Sequence, residues 1–377
     1  MHATANRDWK EKLLGPVRKG VRGSFKIVAL LSRYRGRGLK RVVRQAIVQE
    51  RRSTFSLPVG KRVRAWRLGF KSSSYVLYDL DANDPADYLP DVVMHHTHRL
   101  DEPFGRVLRD KLLLNAVLGA YVAVPEVLAI VGKGRIFALR ASHHVQNVRS
   151  LLAYCEANGG VILKPCQGNK GRGVASVEVK GAGIYLNGKR ASLEDVERHV
   201  AKLNNYLVTG RVVQARYAAE IFPQSTNTLR VITMQDPANG HEPFIPVATH
   251  RFGVQASIPT DNWAKGGLDA KIDLDTGGLS PARRNPLISR EWYHQHPDTG
   301  AQIAGVRVRN WDQVKSGLLN LVEKLSFFKY VGWDVVVTEE GFTVIEGNNP
   351  PDIVIQKEHP FLADPRAKRF FEHHRVI

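Results

Sequence analysis

The 377-residue chain has only two cysteines, Cys155 and Cys166. That excludes a disulfide framework and any cysteine-based metal pattern, and it fits a reducing compartment. There is no apolar run near the roughly 20 residues of a membrane span, and no apolar stretch of signal-peptide type at the N-terminus. A cytoplasmic protein is the expectation. Internal repeats and low-complexity tracts are also missing. Acidic residues are scarce at one end: residues 1–70 hold 19 Lys and Arg against 3 Asp and Glu, and the remainder holds 36 against 33. The net charge of +19 is therefore an N-terminal property, and the body of the chain need not bind a polyanion.

What is present is ordinary globular sequence, 43% hydrophobic and long enough for two or three subdomains. Spacing divides it into a basic helical arm over 1–52 and a small region of irregular or αβ character over 53–107. In the arm, Leu39, Val43 and Ile47 share a helical face opposite Arg and Lys. That stripe fits either packing on the body or contact with an anionic membrane at the inner surface; nucleic acid is the weaker expectation, because no recognition module is evident. From Asp110 onward, helices are expected at 110–117, 147–157, 193–203 and 311–325. Strands are expected at "VILKP", "ASVEV", "YLVTGRVVQARY", "NTLRVITMQD" and "FIPVATHRF".

Two stretches carry chemistry. In "VGWDVVVTEEGFTVIEGNNP", the apolar runs around Glu339-Glu340-Gly341 read as a hairpin with a three-residue loop whose glycine supplies the left-handed residue. Counting outward from Thr338 opposite Phe342 sets Asp334 across from Glu346, with Asn348 on the same face. Like charges directly opposite are destabilising, so the pair calls for a cation, a shared proton or solvent. Two carboxylates and an amide oxygen suit a hard cation such as Mg²⁺; an acidic hairpin facing water is the alternative.

In "VILKPCQGNKGRGV", a strand delivers Lys164, Pro165 ends it, and Gly168, Gly171, Arg172 and Gly173 follow in a loop able to bring backbone amides close to an anion. It is neither a Walker A loop nor a dinucleotide fingerprint. A simple hairpin is the competing reading, but a lysine from a strand interior is costly unless it meets a charge.

Taken in order, these motifs resemble the ATP-grasp superfamily, and within it the sugar-transfer associated ATP-grasp family. The resemblance covers Leu108 to Gln356. It comprises Asp-Lys at a helix start, "LKP" before a glycine-rich loop, a "VVQ" strand, "STNTLRV", "NWxxGG", and a "GWD" hairpin ending in "EGNN". The resemblance implies an α+β ATP-grasp fold, two subdomains gripping ATP between antiparallel sheets, the one with the phosphate loop over 108–212 and the one with the metal site over 213–377. It implies that Lys111 and Lys164 hold nucleotide phosphates and that Val213, Gln214 and Ala215 form the hinge strand at adenine. Glu220 is implied near the ribose, and Asp334, Glu346 and Asn348 as Mg²⁺ ligands. One departure stands out. Related amino-acid ligases often carry an Arg two residues before the first metal carboxylate, where this chain has Gly332. Arg230 is the first candidate to replace that cation and Arg251 the second, both in strands of the same sheet. The polar stretch from Arg251 to Gly278 is too long for a mere connection; Asn262, Trp263 and Lys265 are expected to contact acceptor or phosphate, with Trp263 alternatively a packing anchor.

The resemblance implies ATP-dependent, ADP-forming ligation of a carboxylate to an amine through an acylphosphate, with an aminosugar or a surface-polysaccharide precursor as substrate. A phosphotransferase acting on a hydroxyl is the runner-up. A non-catalytic nucleotide- or membrane-binding protein is a third reading, against which the full set of lysines and carboxylates argues.

Overall fold

Valine-rich runs near both ends of the body supply the strands of two antiparallel sheets. The computed structural model describes residues 57–139, 145–168, 173–285, 288–289 and 291–377. The basic arm over 1–52, and Gly171 and Arg172 of the glycine loop, lie outside the described residues.

The smaller sheet contains β1 (Val127–Gly132), β2 (Arg135–Ala138), β3 (Val161–Pro165), β4 (Ala175–Lys180), β5 (Gly183–Leu186), β6 (Lys189–Ala191) and β7 (Tyr206–Gly210), in the order β2-β1-β7-β3-β4-β5-β6. Helices Val148–Asn158 and Leu193–Val200 close one face, burying Leu151, Cys155, Val196 and Val200 against Leu128, Val161 and Val177. Each such side chain contributes roughly 1.5–3 kcal/mol when fully buried. Both helices start where side chains can satisfy free amides: Asn147 with Ser150, and Ser192 with Asp195, form capping boxes. Gly159, at φ 79°, ends the first in the left-handed conformation.

The larger sheet contains β8 (Leu229–Asp236), β9 (Glu242–Phe244), β10 (Ala248–Phe252), β11 (Leu268–Ile272), β12 (Leu279–Arg283), β13 (Trp292–Tyr293), β14 (Tyr330–Val337) and β15 (Phe342–Asn348). Its order is β13-β12-β11-β10-β8-β14-β15, with β9 paired to β8. One face packs on helix Trp311–Lys324 and on helix Lys111–Leu118 through Leu114, Leu118, Val314 and Leu318. On the other face, Ile232, Met234 and Tyr330 meet Phe361, Phe370 and Phe371. Arg230 and Asp334 lie on that second face, beyond the aromatic cover.

Four expectations need correction. The strand expected over "YLVTGRVVQARY" stops at Gly210, and Arg216–Ile221 is helix, so the hinge residues Val213–Ala215 are a connection tied to the sheet by Ala215 N donating to Val337 O at 2.7 Å. The described part of 53–107 is helical, with no strand among its described residues. The long polar stretch holds β11. Finally, the hairpin turn spans Thr338–Gly341 with Val337 paired to Phe342, and Gly341 is not at positive φ. A bulge at Ile345 then shifts the ladder by one and restores Asp334 opposite Glu346.

Candidate active site

Glu346 comes from β15, Asp334 from β14, Arg230 from β8 and Arg251 from β10, all on one face of the larger sheet. Arg230 faces Asp334 across the strands and grips it with two hydrogen bonds, Nε to Oδ1 at 2.5 Å and Nη2 to Oδ2 at 3.1 Å. Arg251 adds Nη2 to Oδ2 at 3.1 Å. Burial acts to raise the Asp334 carboxyl, but the two guanidiniums, Arg230 first, outweigh it and hold it below the usual carboxylate range. Burial pushes Glu346 up, with the Lys111 ammonium opposing and Asp334 adding to the rise.

Lys111 bridges the two sheets. Asp110 caps its helix by accepting from Leu112 N and Leu113 N, and Lys111 N donates to Cys166 O at the end of β3. The Lys111 ammonium donates to Gly168 O at 2.9 Å and stands 3.6 Å from Glu346 Oε1. Gly347 makes this approach possible, because a Cβ there would fall 2.6 Å from Leu108 Cδ2 and 3.2 Å from Leu114 Cδ1. Lys164 joins the group: desolvation, then the neighbouring Lys111, lower it to about 8, with Glu346 opposing. Gly168 and Gly173 both sit at positive φ, 141° and 75°, as a glycine loop at this point requires.

Gly332 has a physical role. A Cβ there would lie 2.8 Å from Pro351 Cβ and 3.5 Å from Arg230 Cδ, so the Arg230 side chain passes across the position and brings its cation from the neighbouring strand. Behind Arg251 is a support that the sequence reading missed. Arg251 donates to Thr228 Oγ1 at 2.6 Å, Thr228 N donates to Asp261 Oδ2 at 2.9 Å, and the Thr228 hydroxyl also donates to Asp261. Burial opposes the Arg251 cation, yet Asp261 and then Asp334 outweigh it and keep it charged. The signal available in sequence was the position of Thr228 two residues before Arg230, at the entry to β8.

Other expected residues are placed elsewhere. The Gln214 amide is consumed internally: Oε1 accepts from Asn227 N at 2.8 Å, and Nε2 donates to Ser225 O at 2.9 Å. Glu220 is exposed and paired with Arg216 at 2.9 Å. Asn262 caps the turn Trp263–Lys265, and Lys265 is exposed. Trp263 is a packing anchor beside Val354 and the cluster of Leu57, Ala65 and Phe70.

The donor set suits a hard cation in kind, being oxygen only. Asn348 uses Nδ2 to donate to Gly332 O at 3.1 Å, which leaves its amide oxygen as the end able to ligate beside the Asp334 and Glu346 carboxylates. Among the described residues, no group of three His, Cys, Asp or Glu could hold a metal ion. No helix of the described residues is long and apolar enough to cross a membrane.

A family model described as sugar-transfer associated ATP-grasp matches residues 101–360. No curated protein matches. Similar solved structures include the D-cycloserine synthetase DcsG, 15% identical, covering 72% of this chain and 72% of that one at a TM-score of 0.39. The ATP-grasp ligase PsnB, complexed with a precursor peptide and AMPPNP, is 11% identical over 73% of this chain and 62% of its own, at 0.39. A D-alanine–D-alanine ligase from Bacillus anthracis is 12% identical over 71% and 67%, at 0.37. At this level of similarity the likeness carries nothing about substrate.

Proposed function

Because the chain belongs to the sugar-transfer associated ATP-grasp family, we propose that it is an ADP-forming carboxylate-amine ligase working through an acylphosphate. The observation that carries this reading is the meeting of Lys111 with Glu346, 3.6 Å apart: a helix-borne lysine that donates to Gly168 O beside the smaller sheet stands against the carboxylate pair of the larger one.

In this reading Lys111 and Lys164 bind the ATP phosphates. With the Gln214 side chain engaged elsewhere, adenine meets the hinge backbone and Val213, a large apolar side chain 73% exposed. Glu220, exposed and paired with Arg216, would have to exchange that partner to meet the ribose. Asp334, Glu346 and Asn348 would hold Mg²⁺, which when bound neutralises phosphate charge. Arg230, with Arg251 behind it, orients the substrate carboxylate toward the γ-phosphorus. A carboxylate oxygen attacks, the bond to ADP breaks, and the acylphosphate forms. The amine then attacks the acyl carbon, and phosphate leaves with the amine's proton. The residues act by positioning and charge neutralisation, the largest contributions in phosphoryl transfer. An aminosugar or a polysaccharide precursor is the substrate class we propose, and its support is the sugar-transfer association in the family's description.

The test is a screen of carboxylates and amines for ADP release, with hydroxylamine as trap. Hydroxamate formation supports an acylphosphate. A phosphate ester without hydroxamate would make the protein a kinase instead.

A further inference from the structure

At the outer edge of the smaller sheet, an open groove of about 440 Å³ runs between the β5–β6 hairpin and helix Leu193–Val200. Asn187 and Gly188, both at positive φ (53° and 75°), reverse the chain in two residues, so that Leu186 packs on the core under the helix and Lys189 stands across from it. Lys189 and Arg190 line the groove from β6, Arg198 lines it from the helix, and Lys202 from the turn that follows. All four are exposed. One carboxylate, Asp195, also lines the groove, and it is engaged: Oδ1 accepts from Arg198 at 3.0 Å and Oδ2 from Ser192 N at 2.9 Å. Four cations therefore face one carboxylate, an excess of three positive charges. Among the described residues, Lys189, Arg190 and Lys202 have no carboxylate partner. Like charges gathered in one concavity repel, and an anion of matching charge relieves that repulsion while the two guanidiniums offer paired donors to its oxygens.

The geometry points to a second anion site in this groove, for a compact ligand carrying several adjacent phosphate-type charges. Compactness follows from the concave shape: a flat anionic surface cannot bring several charges inside the groove at once. The site is separate from the one at Lys164. Three strand spacings divide β6 from β3, roughly 14 Å between their backbones. The faces differ as well, because Leu163 lies in the core beneath the helices, so Lys164, the next residue of the strand, points to the other side of the sheet. A ligand held in the groove is therefore not the one whose phosphates meet Lys111 and Lys164. The site goes beyond the ligase reading and does not depend on it.

The test is hydrogen–deuterium exchange on the full chain, read in peptides from 183–202, with tripolyphosphate or orthophosphate added at equal ionic strength and without divalent cations. Reading that segment separates the groove from the basic residues of 1–52 and from the Lys111–Lys164 region. Tripolyphosphate should slow exchange in both the hairpin and the helix, and orthophosphate should not. Lys189→Gln/Lys202→Gln removes two exposed cations, so the tripolyphosphate concentration needed for the same protection should rise at least about tenfold, with MgATP affinity unchanged. Equal protection by the two anions reduces the effect to counterion screening and overturns the site, and so does protection that survives the double substitution. If 183–202 responds as expected while MgATP fails to bind, the ligase reading falls and the groove stands.

Discussion

Arg230 and Asp334 sit directly opposite each other on β8 and β14 and are joined by two hydrogen bonds of 2.5 and 3.1 Å, so the carboxylate beside Glu346 is charged and fixed in direction. The fork geometry matters as much as the charge. Arg230→Lys keeps a cation and loses the fork. Turnover should fall by about a hundredfold or more, the scale seen on removing a preorganised transition-state donor, with ATP affinity nearly unchanged. Parallel measurement of ADP formation and calorimetric ATP binding checks this; a proportional loss in both would place Arg230 in ground-state binding.

Glu346→Gln preserves shape and removes one of the two facing carboxylates. The folded variant should form no ADP under conditions where the unaltered protein does. Near-normal turnover in a variant with native circular dichroism would remove Glu346 from the metal set.

Lys164→Ala removes a charge-assisted contact of about 1.5–3 kcal/mol, so ATP affinity should fall roughly tenfold or more. Because desolvation and Lys111 lower Lys164 to about 8, its ammonium is lost as pH rises through that value. ATP affinity of the unaltered protein should therefore drop between pH 7 and 9, and that drop should be absent in the variant. Titration calorimetry at the two pH values reads both outcomes.

Asp101 gives a pH effect on stability. It accepts from Lys329 N and Tyr330 N at the start of β14, yet burial raises it from 3.8 to about 7, with those two amides opposing. A folded-state value above the unfolded one means that the folded chain holds the extra proton between about pH 4 and 7. Stability from this group is therefore full at the acid end and declines as pH rises, by at most about 1.4 kcal/mol per pH unit. Urea unfolding across that window should show a smaller decline in Asp101→Asn than in the unaltered protein; identical slopes would remove Asp101 as the source.

Gly347→Ala adds a methyl group against Leu108 and Leu114. Overpacking of this kind costs about 1–3 kcal/mol. The displaced helix would also carry Lys111 from Glu346, so weaker ATP binding should accompany the lower melting temperature. A stability loss with intact ATP affinity would separate the packing from the site.

Sequence alone determined the features whose causes are local. Asp110, Asn147 and Ser192 begin helices because their own side chains satisfy nearby amides, and alternating or continuous apolar runs mark β3, β4, β8 and β14. The pairing of Asp334 with Glu346 was also legible, although by a register that the bulge at Ile345 replaces. Tertiary structure decided what depends on distant segments meeting. Gln214 looked available for adenine until residues 225–227 used its amide, and Asp261 reaches Thr228 across 33 residues only because the loop folds back. Lys357 comes over Asp269 from 88 residues away. Neither periodicity nor propensity encodes such contacts. They arise because strand order places particular rows of side chains together and burial then forces each polar atom to find a partner.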